Sequence, residues 1–132
     1  MSGLFDNVKM SSELNLEVIC SKMLFYQEQL HLLHWQTTKY SEHKALGDLY
    51  EYIESFRDDI VEKLMGYTGK RPIPYKLIPL DNKSSMVVVC ELMEFACSLK
   101  EYGEKNKFHD ICNLADSLSG EAAKVKYLLT LN

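Results

Sequence analysis

Apolar residues recur at helical spacing in four stretches of the chain. The first runs through Leu16, Ile19, Cys20, Met23, Leu30 and Leu33. The second runs through Leu46, Leu49, Tyr50, Ile53, Ile60 and Leu64. Both keep the three-and-four step of a helix with one buried face. Between them TTKYS, residues 37–41, reads as a short connection with Ser41 as N-cap. The proline-bearing segment GKRPIPYKLIPL, residues 69–80, divides the chain into two similar halves. Beyond it, DNKSS offers caps at Asn82 or Ser84 for a third helix through Val88, Leu92, Phe95 and Leu99. EYGEKN breaks that helix at Gly103. The fourth passes through Ile111, Leu114, Leu118, Val125, Leu128 and Leu129, with Gly120 a weak point inside it. No strand-like alternation persists anywhere.

The pattern predicts an all-α chain, a single domain over residues 1–132. Helices 1–2 and 3–4 are paired by short turns, so each pair is antiparallel. One long connection joins the pairs. A bundle with one long crossover, between helices 2 and 3, has the connectivity of the ferritin-like four-helix bundle. A plain up-down bundle is the alternative.

Composition narrows the partners. Hydrophobic residues make up 46% of the chain, enough for a packed core rather than disorder. The formal net charge is −4, from 19 acidic and 15 basic residues, which argues against binding a nucleic-acid backbone. The N-terminal MSGLFDNVKMSSE has no basic run followed by an apolar one, and no apolar run is long enough to span a bilayer. A cytoplasmic location is therefore the expectation. Cys20, Cys90, Cys97 and Cys112 form no CxxC pair and read as reduced, mostly buried thiols rather than a zinc site.

The candidate chemistry lies in HLLHWQTTKYSEH, residues 31–43, which holds three of the four histidines and the only tryptophan. On a helical wheel His43, Gly47, Glu51, Glu54, Asp58 and Glu62 share one flank of helix 2, beside its core stripe. Glu54–Asp58 and Asp58–Glu62 are like-charge pairs one turn apart, each costing about 0.2–0.5 kcal/mol on an isolated helix. Arg57 and Lys63 can offset part of this, and bound cations can offset more. His43 and Asp58 lie about 22 Å apart along a straight helix at 1.5 Å per residue, so one chain cannot place both on one metal. Two copies of helix 2 packed antiparallel about a two-fold axis can. Facing residue numbers then add to about 105, so His43 meets Glu62 of the other copy and position 47 meets Asp58. His34, at the end of helix 1, can lean over the same site. Mixed imidazole and carboxylate ligands suit iron or zinc. Each residue also has a plainer role: His34 as a core histidine bonded to a carbonyl, Trp35 as a core residue, Asp58 and Glu62 as solvated surface.

LHLLHW (30–35), His43, LGDLYEYI (46–53) and FRDDIVEKL (56–64) together resemble the Dps family of ferritin-like mini-cages. The likeness covers about residues 24–66, with a looser one in GEAAKVKYLLTL at 120–131. The resemblance implies metal ligation by His34, His43, Asp58 and Glu62 at a site between subunits, with Trp35 beside it. His31 matches a histidine that is structural or supports the ligands. It implies Fe(II) oxidation by peroxide or dioxygen and sequestration of the ferric product. The expected assembly is at least a homodimer, a dodecamer being the larger alternative. Two departures qualify this. The family usually carries an acidic ligand where this chain has Gly47; Glu51, one turn along, can reach in. The basic tail used for DNA binding in some members is absent. Gly47 thus marks either a lost ligand or close helix packing at a dimer seam. The competing reading is a non-catalytic ferritin-like structural or interaction protein with a degenerate metal site.

Overall fold

The computed structural model describes residues 13–131. The N-terminal stretch read above for a leader falls largely on residues 1–12, outside the described residues. Four helices form: α1 Leu16–Gln36, α2 Tyr40–Thr68, α3 Ser85–Asn106 and α4 His109–Leu128. No described residue lies in a strand. No helix among the described residues is long and apolar enough to cross a membrane.

Local chemistry sets the helix ends. Asn15 caps α1, its side chain accepting from the Val18 amide at 2.9 Å. Ser84 caps α3, accepting from the Val87 amide at 3.2 Å. Gly69 closes α2 in the left-handed conformation, φ 69°, where a side chain would be strained. Two sequence expectations need correction here. Ser41 is not the cap of α2, because the helix already starts at Tyr40. The Thr37 hydroxyl organises the turn instead, accepting from the Lys39 amide at 3.2 Å and donating to Glu42 at 2.7 Å. Gly103 does not end α3, which continues to Asn106 and stops at Lys107 in the left-handed region. Gly103 is buried there for a packing reason. A Cβ on it would lie 2.8 Å from Cys112 Sγ and 3.1 Å from the Cys112 amide nitrogen. The absent side chain lets α3 and α4 approach.

α1 packs against α2 and α3, and α4 packs against α3 and α2, which leaves α2 and α3 on a diagonal. The apolar stripes meet in one core: Ile19, Met23, Leu30, Leu46, Leu49, Ile53, Leu92, Leu99, Ile111 and Leu118 are fully enclosed. The connection from Gly69 to Ser84 runs the length of α1. Its Ile73 amide donates to the Glu17 carboxylate, and Ser21 Oγ donates to the Lys76 carbonyl. The Gln29 amide pairs both ways with the Asp81 backbone, at 3.0 and 2.9 Å. Those contacts climb α1 in sequence order, so the connection is a crossover and α3 starts at the same end as α2. The bundle has the one-crossover connectivity of ferritin-like folds, not the up-down alternative.

The cysteines are free, as expected, but not mostly buried. Cys20 alone is buried; Cys90 and Cys112 are half-buried and Cys97 is exposed.

Candidate metal site

The three-residue turn between α1 and α2 brings two of the expected ligands together. His34 closes α1 and His43 lies in the first turn of α2. Their rings stack with centroids 3.8 Å apart and planes 17° from parallel. Each ring bonds the other residue's backbone: His34 Nδ1 donates to the His43 carbonyl at 2.6 Å, and His43 Nδ1 donates to the His34 carbonyl at 2.8 Å. A carbonyl only accepts, so Nδ1 carries the proton in both rings. In a neutral imidazole Nε2 then holds the free lone pair. Metal-ligating histidines are oriented in this way, one nitrogen donating to a carbonyl while the other faces the metal. The carbonyl bond foreseen for a core histidine is therefore present, and it leaves Nε2 available.

Gly47 makes room for this pair. A Cβ at position 47 would sit 2.8 Å from His34 Cε1 and 3.0 Å from His34 Nδ1. The close contact that excludes a side chain lies within the chain, with the His34 ring. An aspartate at position 47 would meet the His34 ring before it could reach a metal.

His31 stands apart from the pair, 6.1 Å from the His34 ring. It stacks on Tyr50 at 4.0 Å and on Trp35 at 3.9 Å. That three-ring column supports the turn. Trp35 is not a core residue: it is 66% exposed, because it follows the last core-facing position of α1. The sequence reading missed Tyr50 as a partner of His31, although it lies seven residues after His43, two turns along the same helix.

The expected carboxylates are elsewhere. Glu51, Glu54, Asp58 and Glu62 are all exposed along α2, and none forms an ion pair among the described residues. Lys63, expected to neutralise them, bonds Asp59 at 3.3 Å and Asp110 on α4 at 2.5 Å instead. Among the described residues no three His, Cys, Asp or Glu side chains of one chain converge on a point that could hold a metal. The turn itself carries a shifted carboxyl. Glu42 titrates below its ordinary value, held there first by the Ser85 hydroxyl and also by Thr37. This contact ties the start of α2 to the start of α3.

The model of DUF5856, a family of unknown function, matches residues 34–129. The chain belongs to that family. The matched span contains His34, His43, Gly47, Asp58 and Glu62, and leaves out His31 and most of α1. No curated protein and no solved structure matches the chain.

Proposed function

We propose that this DUF5856 member is a Dps-like iron-binding protein that takes up and oxidises Fe(II) at a site shared between two copies. His34 and His43 of one copy supply Nε2 ligands; Asp58 and Glu62 of the other supply anionic oxygens that favour the ferric product. Fe(II) is the substrate and peroxide or dioxygen the electron acceptor. Zinc suits the same four ligands, since four protein groups complete a tetrahedral site. One observation carries the reading. The reciprocal carbonyl bonds hold both rings with Nδ1 as donor, so that the neutral imidazoles keep a free lone pair on Nε2, while exposed carboxylates lie on the flank of α2 that an antiparallel second copy would present to them.

The test is complementation. His43→Ala and Asp58→Ala are purified separately, and each should lose tight zinc binding and Fe(II) oxidation. Mixing them forms heterodimers in which one site carries both substitutions and the other carries neither. Binding and oxidation should return to about a quarter of the unmixed wild-type level, since about half of the pairs in an equal mixture are heterodimers and each of these has one intact site of two. No recovery on mixing, with exchange of copies verified by mass, would refute a shared site.

The second reading has its own support. With Gly47 filled by the His34 ring, the His34–His43 pair is also a symmetric staple that closes the α1–α2 turn without any metal. A protein whose thermal stability and mass are unchanged by zinc or Fe(II) would favour this structural, non-catalytic role.

A further inference from the structure

Two large aromatics at the α1–α2 end project into solvent: Trp35 is 66% exposed and Tyr40, the first residue of α2, is 78% exposed. Trp35 touches its own bundle through the His31 ring, and both leave most of their surface to solvent. At the opposite end of α2 lies a cleft of about 360 Å³ lined by Glu62, Met65, Gly66, Gly69, Lys70 and Arg71. Gly66 is unexplained within the chain. It is exposed and helical, and a Cβ there would meet nothing within 4 Å, while helices disfavour glycine. Its lack of a side chain opens the cleft.

We infer that the cleft at the C-terminal end of α2 receives Tyr40 and Trp35 of a second copy of this chain. The inference rests on the antiparallel α2 pairing proposed above. That register was set by His43 and Glu62 alone, yet it also brings position 40 opposite Met65, and Trp35, just before the α1–α2 turn, lies at the same end of the hairpin as Tyr40. Tyr40 and Asp58, 18 residues apart, differ by about five whole turns, so Tyr40 shares the flank that carries the carboxylates. Met65 falls on that flank as well. The chemistry is complementary: the tyrosine ring meets a thioether and bare glycine backbone, and the indole face meets the cations of Lys70 and Arg71. Two-fold symmetry fills both clefts at once. Four aromatics burying at most about 150–250 Å² each account for roughly half of the about 1,200–2,000 Å² that a stable interface removes from water. The cleft walls and the α2 seam supply the rest.

Trp35 is the chain's only tryptophan, so its fluorescence reports the docking directly. Emission and acrylamide quenching are followed across a dilution series while mass is measured in parallel, with and without zinc. As copies pair, emission should move to shorter wavelength and the quenching constant should fall about twofold, as for a ring entering a desolvated pocket. Gly66→Leu, which favours the helix and fills the cleft, should weaken pairing by about tenfold or more and keep Trp35 quenchable. A dimer by mass in which Trp35 stays as quenchable as in the monomer overturns this inference. If the two dead variants still complement one another there, the shared metal site stands without it. A chain that stays monomeric at every concentration, with or without zinc, removes both.

Discussion

The two hairpins of the bundle each contain a glycine pressed by its partner helix, and the two glycines face different things. A Cβ on Gly103 of α3 would lie 2.8 Å from Cys112 Sγ, and 3.1 and 3.3 Å from the Cys112 amide nitrogen and the Phe108 carbonyl behind it. The three atoms nearest to a Cβ on Gly47 of α2 would all belong to one imidazole, the His34 ring. Backbone cannot step aside, so Gly103 sets the distance between two helices. A ring can, but the His34 ring is tied by its bond to the His43 carbonyl, so Gly47 sets the pose of a side chain. One glycine serves packing. The other makes room for a stacked pair of imidazoles.

The largest effect should come from the packing glycine. Gly103→Val forces α3 and α4 apart against backbone, and overpacking of this kind costs about 3 kcal/mol. Chemical denaturation should show a lower midpoint with an unchanged slope. Adding Cys112→Ala removes the Sγ contact but not the two backbone ones, so it should restore only part of the loss. Full restoration would mean that the cysteine alone holds the hairpin open, and that the two glycines are alike.

The metal-side glycine should behave differently, with a sign that depends on His34. In the wild-type chain Gly47→Ala gains about 1 kcal/mol of helix propensity. It loses about 2 kcal/mol by displacing the ring and its carbonyl bond, for a net loss of about 1 kcal/mol. In a His34→Ala background the obstacle is gone, and the same change should stabilise by about 1 kcal/mol. The coupling of about 2 kcal/mol is within the range for residues in contact. Zinc affinity should fall in Gly47→Ala, and also in Gly47→Asp, since the His34 ring must leave its pose before any added carboxylate can help. A Gly47→Asp protein that binds metal more tightly would show that the glycine is a lost ligand after all.

The contrast between the two glycines was half legible in the sequence. The core stripes were: Ile19, Met23, Leu46, Ile53, Leu92 and Leu118 are buried where helical spacing puts them. The crossover was too, because a proline-bearing stretch between two helical pairs has few other solutions. The roles of individual glycines were not. Gly103 looks like a helix stop, since glycine there is compatible with a C-terminus and with close packing alike; only the neighbour, Cys112, decides. Gly47 looked like either a vacated ligand position or a seam between copies, because its true neighbour, His34, lies across a turn whose geometry depends on three residues. Trp35 was misplaced for a related reason. It sits two positions past the last buried residue of α1, Leu33, and the period alone does not say where a helix outruns its core. Ser21 and Gln29, polar yet buried, pin the crossover through backbone groups that no side-chain pattern reveals.

The smallest effect lies between the hairpins. Lys63 on α2 and Asp110 on α4 form an ion pair at 2.5 Å on the solvent face, and the Asp110 amide also donates to the Tyr67 hydroxyl oxygen at 3.1 Å. Lys63 holds the Asp110 carboxyl below its ordinary 3.8, and the Lys63 amine is held above its ordinary value by the same partner. A carboxyl depressed on folding stabilises the fold at pH values above its unfolded pKa, and that contribution vanishes as pH falls through the folded value. Asp110→Asn should therefore lower the melting temperature slightly at pH 7 and not at all at pH 2. Both groups are open to solvent, so the difference at pH 7 should shrink further in 1 M salt, where the Debye length is about 3 Å. If the hairpins are joined by their shared apolar core, that small, salt-sensitive loss is all that breaking the pair produces. A large loss that persists in salt would mean instead that this surface contact, and not the buried stripes of α2 and α4, keeps the α1–α2 hairpin in register with the α3–α4 one.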